Sequence, residues 1–143
     1  MQTRTEKDIK AIEQFLKAET FAVLGATGDR SKYGNKVLRC YLQHQKNNQR
    51  IYAINLRGSS RIENTPCFPS LSDLPEPVTS ISIITPPKIT EEIVKEAWAQ
   101  KVQNIWMQPG AESEAAIEFC EKNNLNVIAG GPCILVELGF KDI

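Results

Sequence analysis

A short apolar run that breaks into glycines constrains the fold more than any other feature of this sequence. Residues Phe21–Leu24 are apolar and lead directly into Gly25 and Gly28, after which a helical pattern opens near Gly34. A buried strand that ends in such a loop exposes backbone N–H groups, and the helix that follows adds the positive end of its dipole. The segment therefore predicts a phosphate cradle, and we call residues Gly25–Arg30 the glycine loop.

The rest of the sequence repeats this alternation of buried strands and amphipathic helices. Further strands are predicted at Ile51–Asn55, Val78–Thr85, Asn104–Gln108 and Asn126–Ala129. Helices are predicted after the capping residues Thr5, Thr90 and Ser113, with one helical turn at Ser70–Leu74 and a polar loop at Leu56–Pro66. The pattern predicts an α/β fold, a Rossmann-like, doubly wound, mostly parallel five-stranded sheet with helices on both faces.

Length and charge narrow the class of protein. At 143 residues the sequence fits one domain, residues 1–143, and 17 basic residues balance 17 acidic ones. A neutral chain of this kind favours neither nucleic acid nor a membrane surface as a partner. Because the first residues carry early acids and no apolar core, we expect no targeting segment and a cytoplasmic location.

The cysteines and the one histidine do not predict a metal site. Cys40, Cys67, Cys120 and Cys133 show no Cys-x-x-Cys spacing, and His44 lies late in a predicted helix. We therefore expect reduced thiols and no bound metal.

The residues after the second strand narrow the choice of nucleotide. The dinucleotide fingerprint needs Gly-x-Gly-x-x-Gly and an acidic residue about 20 positions further on. This chain has Gly25-x-x-Gly28, its second strand ends in Asn55, and Arg57 and Arg61 follow. Basic residues at that point suit a ligand with an extra phosphate on the adenosine ribose, so NADP and coenzyme A remain and NAD is disfavoured.

Several motifs in order resemble those of a known family. They are Val23–Gly28, Tyr52–Asn55, Pro66–Phe68 with Ser70–Leu74, Trp106–Gly110, and Cys133 with Glu137. Over roughly residues 21–137 the chain resembles the small single-domain CoA-binding proteins, which are similar to the CoA-binding domain of the succinyl-CoA synthetase alpha subunit. The resemblance implies a Rossmann-like domain that binds coenzyme A or an acyl-CoA.

The resemblance also implies where the ligand lies. In the glycine loop, Gly25, Ala26, Thr27, Gly28, Asp29 and Arg30 would hold the pyrophosphate and the pantetheine arm. Asn55, Leu56, Arg57 and Gly58 would meet the adenosine and its phosphate, and Thr85, Pro86 and Pro87 would line the groove. Lys32, Tyr33 and Lys36 are further candidates for phosphate contact, and Gln108 belongs to the fourth-strand motif.

The sequence thus predicts recognition of coenzyme A, without catalysis, by a sensor, a carrier or a partner subunit. The synthetase alpha subunit uses a phosphorylated histidine from a second domain, and His44 does not follow a strand end as such a site would require. Two alternatives stay open: an NADP-binding oxidoreductase or redox sensor, and an acyl-thioester enzyme that uses Cys133 and Glu137. The expected partner is a small nucleotide ligand, and a protein partner is not identified.

Overall fold

The computed structural model of the chain describes residues 5–55, 57 and 61–143 and contains one sheet of seven strands. The strands are β1 (Thr20–Leu24), β2 (Arg50–Ile54), β3 (Arg61–Ile62), β4 (Thr65–Phe68), β5 (Ser80–Ile83), β6 (Asn104–Met107) and β7 (Asn126–Ile128). The helices are α1 (Glu6–Leu16), α2 (Tyr33–Gln43), α3 (Pro87–Ala99), α4 (Glu114–Lys122) and α5 (Ile134–Leu138), with one 3-10 turn at Leu71–Asp73.

The strand order confirms the predicted doubly wound α/β fold. The order across the sheet is β3-β4-β2-β1-β5-β6-β7, and every pair is parallel except β3 with β4. From β1 the chain builds outward first on the β2 side and then on the β5 side. The carboxyl ends of β1 and β5 therefore flank the topological switch point, where open α/β sheets bind their ligands.

β3 lies in the segment predicted as a polar loop, and β4 begins at the end of that segment. β3 and β4 form a hairpin whose two turn residues, Glu63 and Asn64, have φ values of 50° and 61°. Positive φ at both positions is the geometry of the tight turn that suits the twist of a hairpin. With two and four residues, these strands are too short to give a readable alternation, so five strands were predicted where the sheet has seven.

The helix caps agree with the sequence at two positions and differ at a third. Thr5 and Asp8 form a capping box at α1, and the Ser113 side chain accepts from the Ala116 N–H at the start of α4. The prediction that Thr90 caps a helix is wrong, because α3 begins at Pro87 and Thr90 is buried inside it. Proline needs no N–H partner at the first helical position, so the helix begins there.

α5 was not predicted and follows directly on Cys133. The helix has five residues, Ile134–Leu138, and four of them are apolar, so no helical period can be read from so short a run. α5 packs on α2, and this packing brings Cys133 to the start of α2, where it contacts Tyr33.

Apolar layers cover both faces of the sheet. On one face α1, α2 and α5 pack on Phe21, Val23 and Trp106, and on the other α3 and α4 pack on Ala22, Leu24 and Met107. The alternation along each strand follows from the two-residue period of a pleated sheet. Trp106 and Met107, for which core packing was predicted for at least one, are both fully buried.

Two glycines let three elements meet at the switch point. A Cβ built on Gly34 would lie 2.0 Å from the carbonyl oxygen of Gly25, and a Cβ on Gly25 would lie 2.1 Å from that of Ile84. Neither distance is compatible with a side chain. The first turn of α2 therefore packs backbone to backbone against the end of β1, which in turn contacts the residue that follows β5.

Candidate functional site

Side chains from the neighbouring elements hold two carbonyl groups of the glycine loop. Asn55, just after β2, donates from Nδ2 to the Ala26 carbonyl at 2.8 Å. Asn35, in the first turn of α2, donates from Nδ2 to the Thr27 carbonyl at 2.8 Å. A carbonyl that is already hydrogen-bonded to the protein does not need to face an incoming anion. The loop is therefore fixed with these acceptors turned toward the protein.

Four N–H groups of the glycine loop have no acceptor among the described residues. They belong to Ala26, Thr27, Gly28 and Arg30, whereas the N–H groups of Gly25 and Asp29 bond to the Ile54 carbonyl and the Thr27 hydroxyl. The helix that follows begins after Lys32, whose side chain does not cap it. Unpaired N–H groups beside the positive end of a helix form an anion-binding site. The structure thus places these N–H groups beside the first turn of α2, and their contact with a phosphate stays a prediction.

Neither packing nor backbone conformation explains why residue 28 is glycine. No atom lies within 4 Å of a Cβ built on it, and its φ is outside the left-handed region that favours glycine. The residue is exposed. A glycine in ordinary backbone and open space fits a surface that a ligand backbone or phosphate approaches closely.

Two charged residues of the glycine loop are already engaged. The Asp29 carboxylate accepts from the Ser31 hydroxyl at 2.7 Å and from its N–H at 3.0 Å, and these bonds hold the pKa of Asp29 below its ordinary value. Arg30 lies 3.6 Å from the Glu63 carboxylate and donates to the Ile143 carbonyl at 2.9 Å. Arg30 is thus held between the β3–β4 hairpin and the end of the chain.

The basic residues beyond the loop differ in their partners. Arg61 donates to the Asn64 carbonyl at 2.6 Å, and Lys36 lies 3.8 Å from Asp142. The side chains of Lys32 and Arg57 are exposed and make no hydrogen bond or ion pair with any described residue. The Arg57 N–H donates to Asn55 Oδ1 at 2.7 Å, which ties its backbone to the end of β2. The predicted contacts Leu56 and Gly58 lie outside the described residues.

Tyr33, Gln108 and Cys133 form a cluster of side chains at the start of α2. The Tyr33 hydroxyl lies 3.2 Å from Gln108 Oε1 and 2.8 Å from the Cys133 sulfur. Burial, and then the bond to Cys133, raises the pKa of Tyr33, so its hydroxyl stays protonated. Gln108 is fully buried and also bonds to the Ile134 N–H at 3.0 Å and the Ser82 hydroxyl at 3.3 Å. In this arrangement Gln108 supports Tyr33, and direct contact between Gln108 and a ligand stays a prediction.

The predicted groove residues follow β5 and lie next to the glycine loop. Thr85 is half-buried, and Pro86 and Pro87 are exposed at the start of α3. Ile84, immediately before them, contacts Gly25. The structure therefore places these residues at the switch point, and their contact with a ligand stays a prediction.

Comparison with known proteins assigns the family. A model of the CoA-binding domain matches residues 19–139 of the sequence. The chain belongs to the CoA-binding domain family. The matched range includes the glycine loop, the groove residues after β5 and the Tyr33–Cys133 contact. The resemblance drawn from the ordered motifs is confirmed.

Similar proteins include an enzyme and two solved structures. The chain is 27% identical over 107 residues to the ADP-forming acetate–CoA ligase I of Archaeoglobus fulgidus, a match that covers 75% of this chain and 15% of the ligase. A conserved hypothetical protein from Pyrococcus furiosus is 34% identical, with a TM-score of 0.74 over 83% of this chain and 98% of that one. A hypothetical protein from Pyrococcus horikoshii OT3 has a TM-score of 0.82 at 22% identity, over 96% and 95% of the two chains.

Three residues that support the loop were missed. Asn35 and Arg39 stand four positions apart on the buried side of α2, and Glu63 lies at the tip of the β3–β4 hairpin, 3.2 Å from Asn35 Nδ2. Two polar residues at helical spacing among apolar ones were a visible signal that their side chains are paired. Glu63 gave no such signal, because its hairpin was not predicted.

Other residues that could take part in a reaction, among them one histidine and two buried cysteines, contact the protein or stay protonated. The His44 ring lies 2.9 Å from the Cys40 carbonyl at the end of α2. Burial raises the pKa of both Cys40 and Cys120 to about 12, which keeps these thiols protonated. Within the part of the chain that the structure describes, no cluster of three His, Cys, Asp or Glu residues is arranged to hold a metal ion. No helix in that part is long and apolar enough to cross a membrane.

Proposed function

We propose that this domain binds coenzyme A, with the glycine loop as its diphosphate site. The observation that carries the proposal is the open space at Gly28 beside unpaired N–H groups. A phosphate can approach such a backbone closely and accept several hydrogen bonds from it. Membership of the CoA-binding domain family supports coenzyme A as the source of that phosphate.

The two ends of the ligand fit different sides of the loop. The adenosine end, with its ribose phosphate, is proposed to lie beyond β2 near Asn55 and Arg57, because the Arg57 side chain has no partner among the described residues. The thiol end is proposed to extend toward Tyr33 and Cys133, on the β6 side of the switch point. This orientation assigns the extra phosphate to Arg57 in preference to Arg61, which already bonds to Asn64.

We further propose that the domain recognises coenzyme A or an acyl-CoA and performs no reaction on it. The match covers only 15% of the ligase, so the reaction of the whole ligase is not assigned to this domain. Cys133 lies toward the proposed thiol end, and its sulfur contacts the Tyr33 hydroxyl. That the chain is one cytoplasmic domain stays a prediction, and a protein partner is not identified.

Calorimetry with CoA and NAD tests the choice of ligand. We expect CoA to bind and NAD to bind weakly or not at all, because Asn55 stands at the end of β2, where an NAD site has an acidic residue for the ribose hydroxyls. Gly28→Val should abolish CoA binding, and Gly28→Ala should weaken it to a smaller degree. Both variants should keep their fold, since the added atoms enter open space.

Circular dichroism is the control for these two variants. Tighter binding of NAD than of CoA by the wild-type protein would contradict the proposed ligand. An unchanged CoA dissociation constant in folded Gly28→Val would exclude the glycine loop as the site.

Dephospho-CoA tests the role of Arg57. We expect Arg57→Ala to weaken CoA binding by about 1.5–3 kcal/mol through loss of a charge-assisted bond to the ribose phosphate. Dephospho-CoA lacks that phosphate, so its affinity should be the same for Arg57→Ala and the wild type. Arg61→Ala is the matched control and should have little effect on either ligand. Equal losses for CoA and dephospho-CoA in Arg57→Ala would contradict the assignment.

Acyl-CoA turnover tests the absence of chemistry. We expect purified protein to hydrolyse or transfer the acyl group of acetyl-CoA no faster than buffer, because the Cys133 sulfur contacts the Tyr33 hydroxyl, whose raised pKa keeps it protonated and unable to act as a base. The measurement is thiol release, with Cys133→Ser as the comparison. Turnover well above the buffer rate that Cys133→Ser removes would overturn the proposal and make Cys133 a nucleophile.

A further inference from the structure

Arg39 is a buried guanidinium that connects the glycine loop to the segment at residues 140–142. Its residue exposure is only 5%. Nε donates to Asn35 Oδ1 at 2.7 Å, Nη2 to the Arg30 carbonyl at 3.1 Å, and Nη1 to Asp142 Oδ1 at 2.9 Å. Its Cζ atom also lies 5.1 Å from the centre of the Phe140 ring. All three nitrogen atoms of the guanidinium are therefore engaged.

These contacts fix two carbonyl groups of the glycine loop. Arg39 holds the Arg30 carbonyl directly. It holds the Thr27 carbonyl through Asn35, whose Oδ1 accepts from Arg39 while its Nδ2 donates to Thr27. Because only the amide nitrogen can donate and only the amide oxygen can accept from a guanidinium, the bond to Arg39 sets the orientation of the Asn35 side chain.

The orientation of Arg39 depends in turn on Asp142. A buried guanidinium is unfavourable without a counter-charge, and Asp142 is the carboxylate that supplies one. The bond from Arg39 holds the pKa of Asp142 below its ordinary value, so Asp142 is ionised at neutral pH. Gln43 fixes the same segment by bonding both to the Lys141 carbonyl, at 2.6 Å, and to its N–H, at 3.0 Å.

We propose that Arg39 is a positioning residue for the glycine loop and that Asp142 is its required counter-charge, so that ligand binding at the loop and docking of residues 140–142 are coupled. The positioning role concerns the protein alone, and the coupling to a ligand rests on the proposed binding of CoA. Coupling between two sites is reciprocal. A change that weakens the docking of residues 140–142 must then weaken ligand binding. Ligand binding must in turn stabilise the docked segment.

The test compares wild-type protein with Asp142→Asn, Arg39→Lys and Glu76→Gln. Asp142→Asn removes the counter-charge at a residue that is 59% exposed in its side chain and should leave the fold intact. Arg39→Lys keeps the charge but cannot hold three acceptors in one plane. Glu76→Gln is the matched control, because Glu76 pairs with Arg50 at the start of β2, the end of the sheet opposite the loop.

The readouts are the backbone ¹³C carbonyl chemical shifts of Thr27 and Arg30 without ligand, and the CoA dissociation constant by calorimetry. We expect both shifts to move in Asp142→Asn and Arg39→Lys and to stay unchanged in Glu76→Gln. The CoA dissociation constant should rise about five-fold in Asp142→Asn, the lower end of the usual range for coupled sites.

The two readouts separate the two proposals. Carbonyl shifts that stay at their wild-type values in Asp142→Asn would overturn the positioning role, whether or not CoA binds. Shifts that move while CoA affinity is unchanged would overturn the coupling. If the shifts move but wild-type protein binds no CoA, the proposed function fails and the positioning role of Arg39 and Asp142 stands.

Discussion

The backbone contact between Gly34 and Gly25 determines where the other parts of the site lie. With 2.0 Å between a Gly34 Cβ and the Gly25 carbonyl, only glycine lets α2 begin so close to the end of β1. Asn35 and Arg39 come from the same helix, one residue and five residues later, and therefore lie against the loop that they hold. A shift of α2 away from β1 would separate the helix N-terminus, the loop and both supporting side chains at once.

The site is organised around unpaired N–H groups more than around positive charge. Most nearby basic side chains already have partners: Arg30 with Glu63, and Lys36 and Arg39 with Asp142. The chain as a whole carries no net charge. Oriented N–H groups and the end of a helix discriminate by geometry, since each donor must meet an oxygen at hydrogen-bond distance. If the loop holds the ligand as proposed, such a site favours a diphosphate of defined shape over anions in general.

The sequence predicts features that depend on neighbouring residues and misses those that depend on distant ones. The first strand, its loop, the caps at Thr5 and Ser113 and the family resemblance could all be read from local patterns. The β3–β4 hairpin and α5 could not, because they are too short to show a period. The Arg39–Asp142 pair joins residues 103 positions apart, and no local pattern carries that information. The cap predicted at Thr90 is wrong because threonine, a common capping residue, also occurs inside helices, where its hydroxyl can bond to the preceding turn.

A titration of ¹⁵N-labelled protein with CoA, followed by amide chemical shifts, tests most directly whether the glycine loop is the ligand site. A competing surface is an open groove of about 700 Å³ between α1 and the α4–β7 connection, lined by Lys7, Lys10, Gln14 and Asn126 among others. We expect the largest shift changes at the unpaired N–H groups of Thr27, Gly28 and Arg30 and at the first residues of α2. Changes confined to Lys10, Asn126 and their neighbours in the groove, with the loop amides unmoved, would contradict this account.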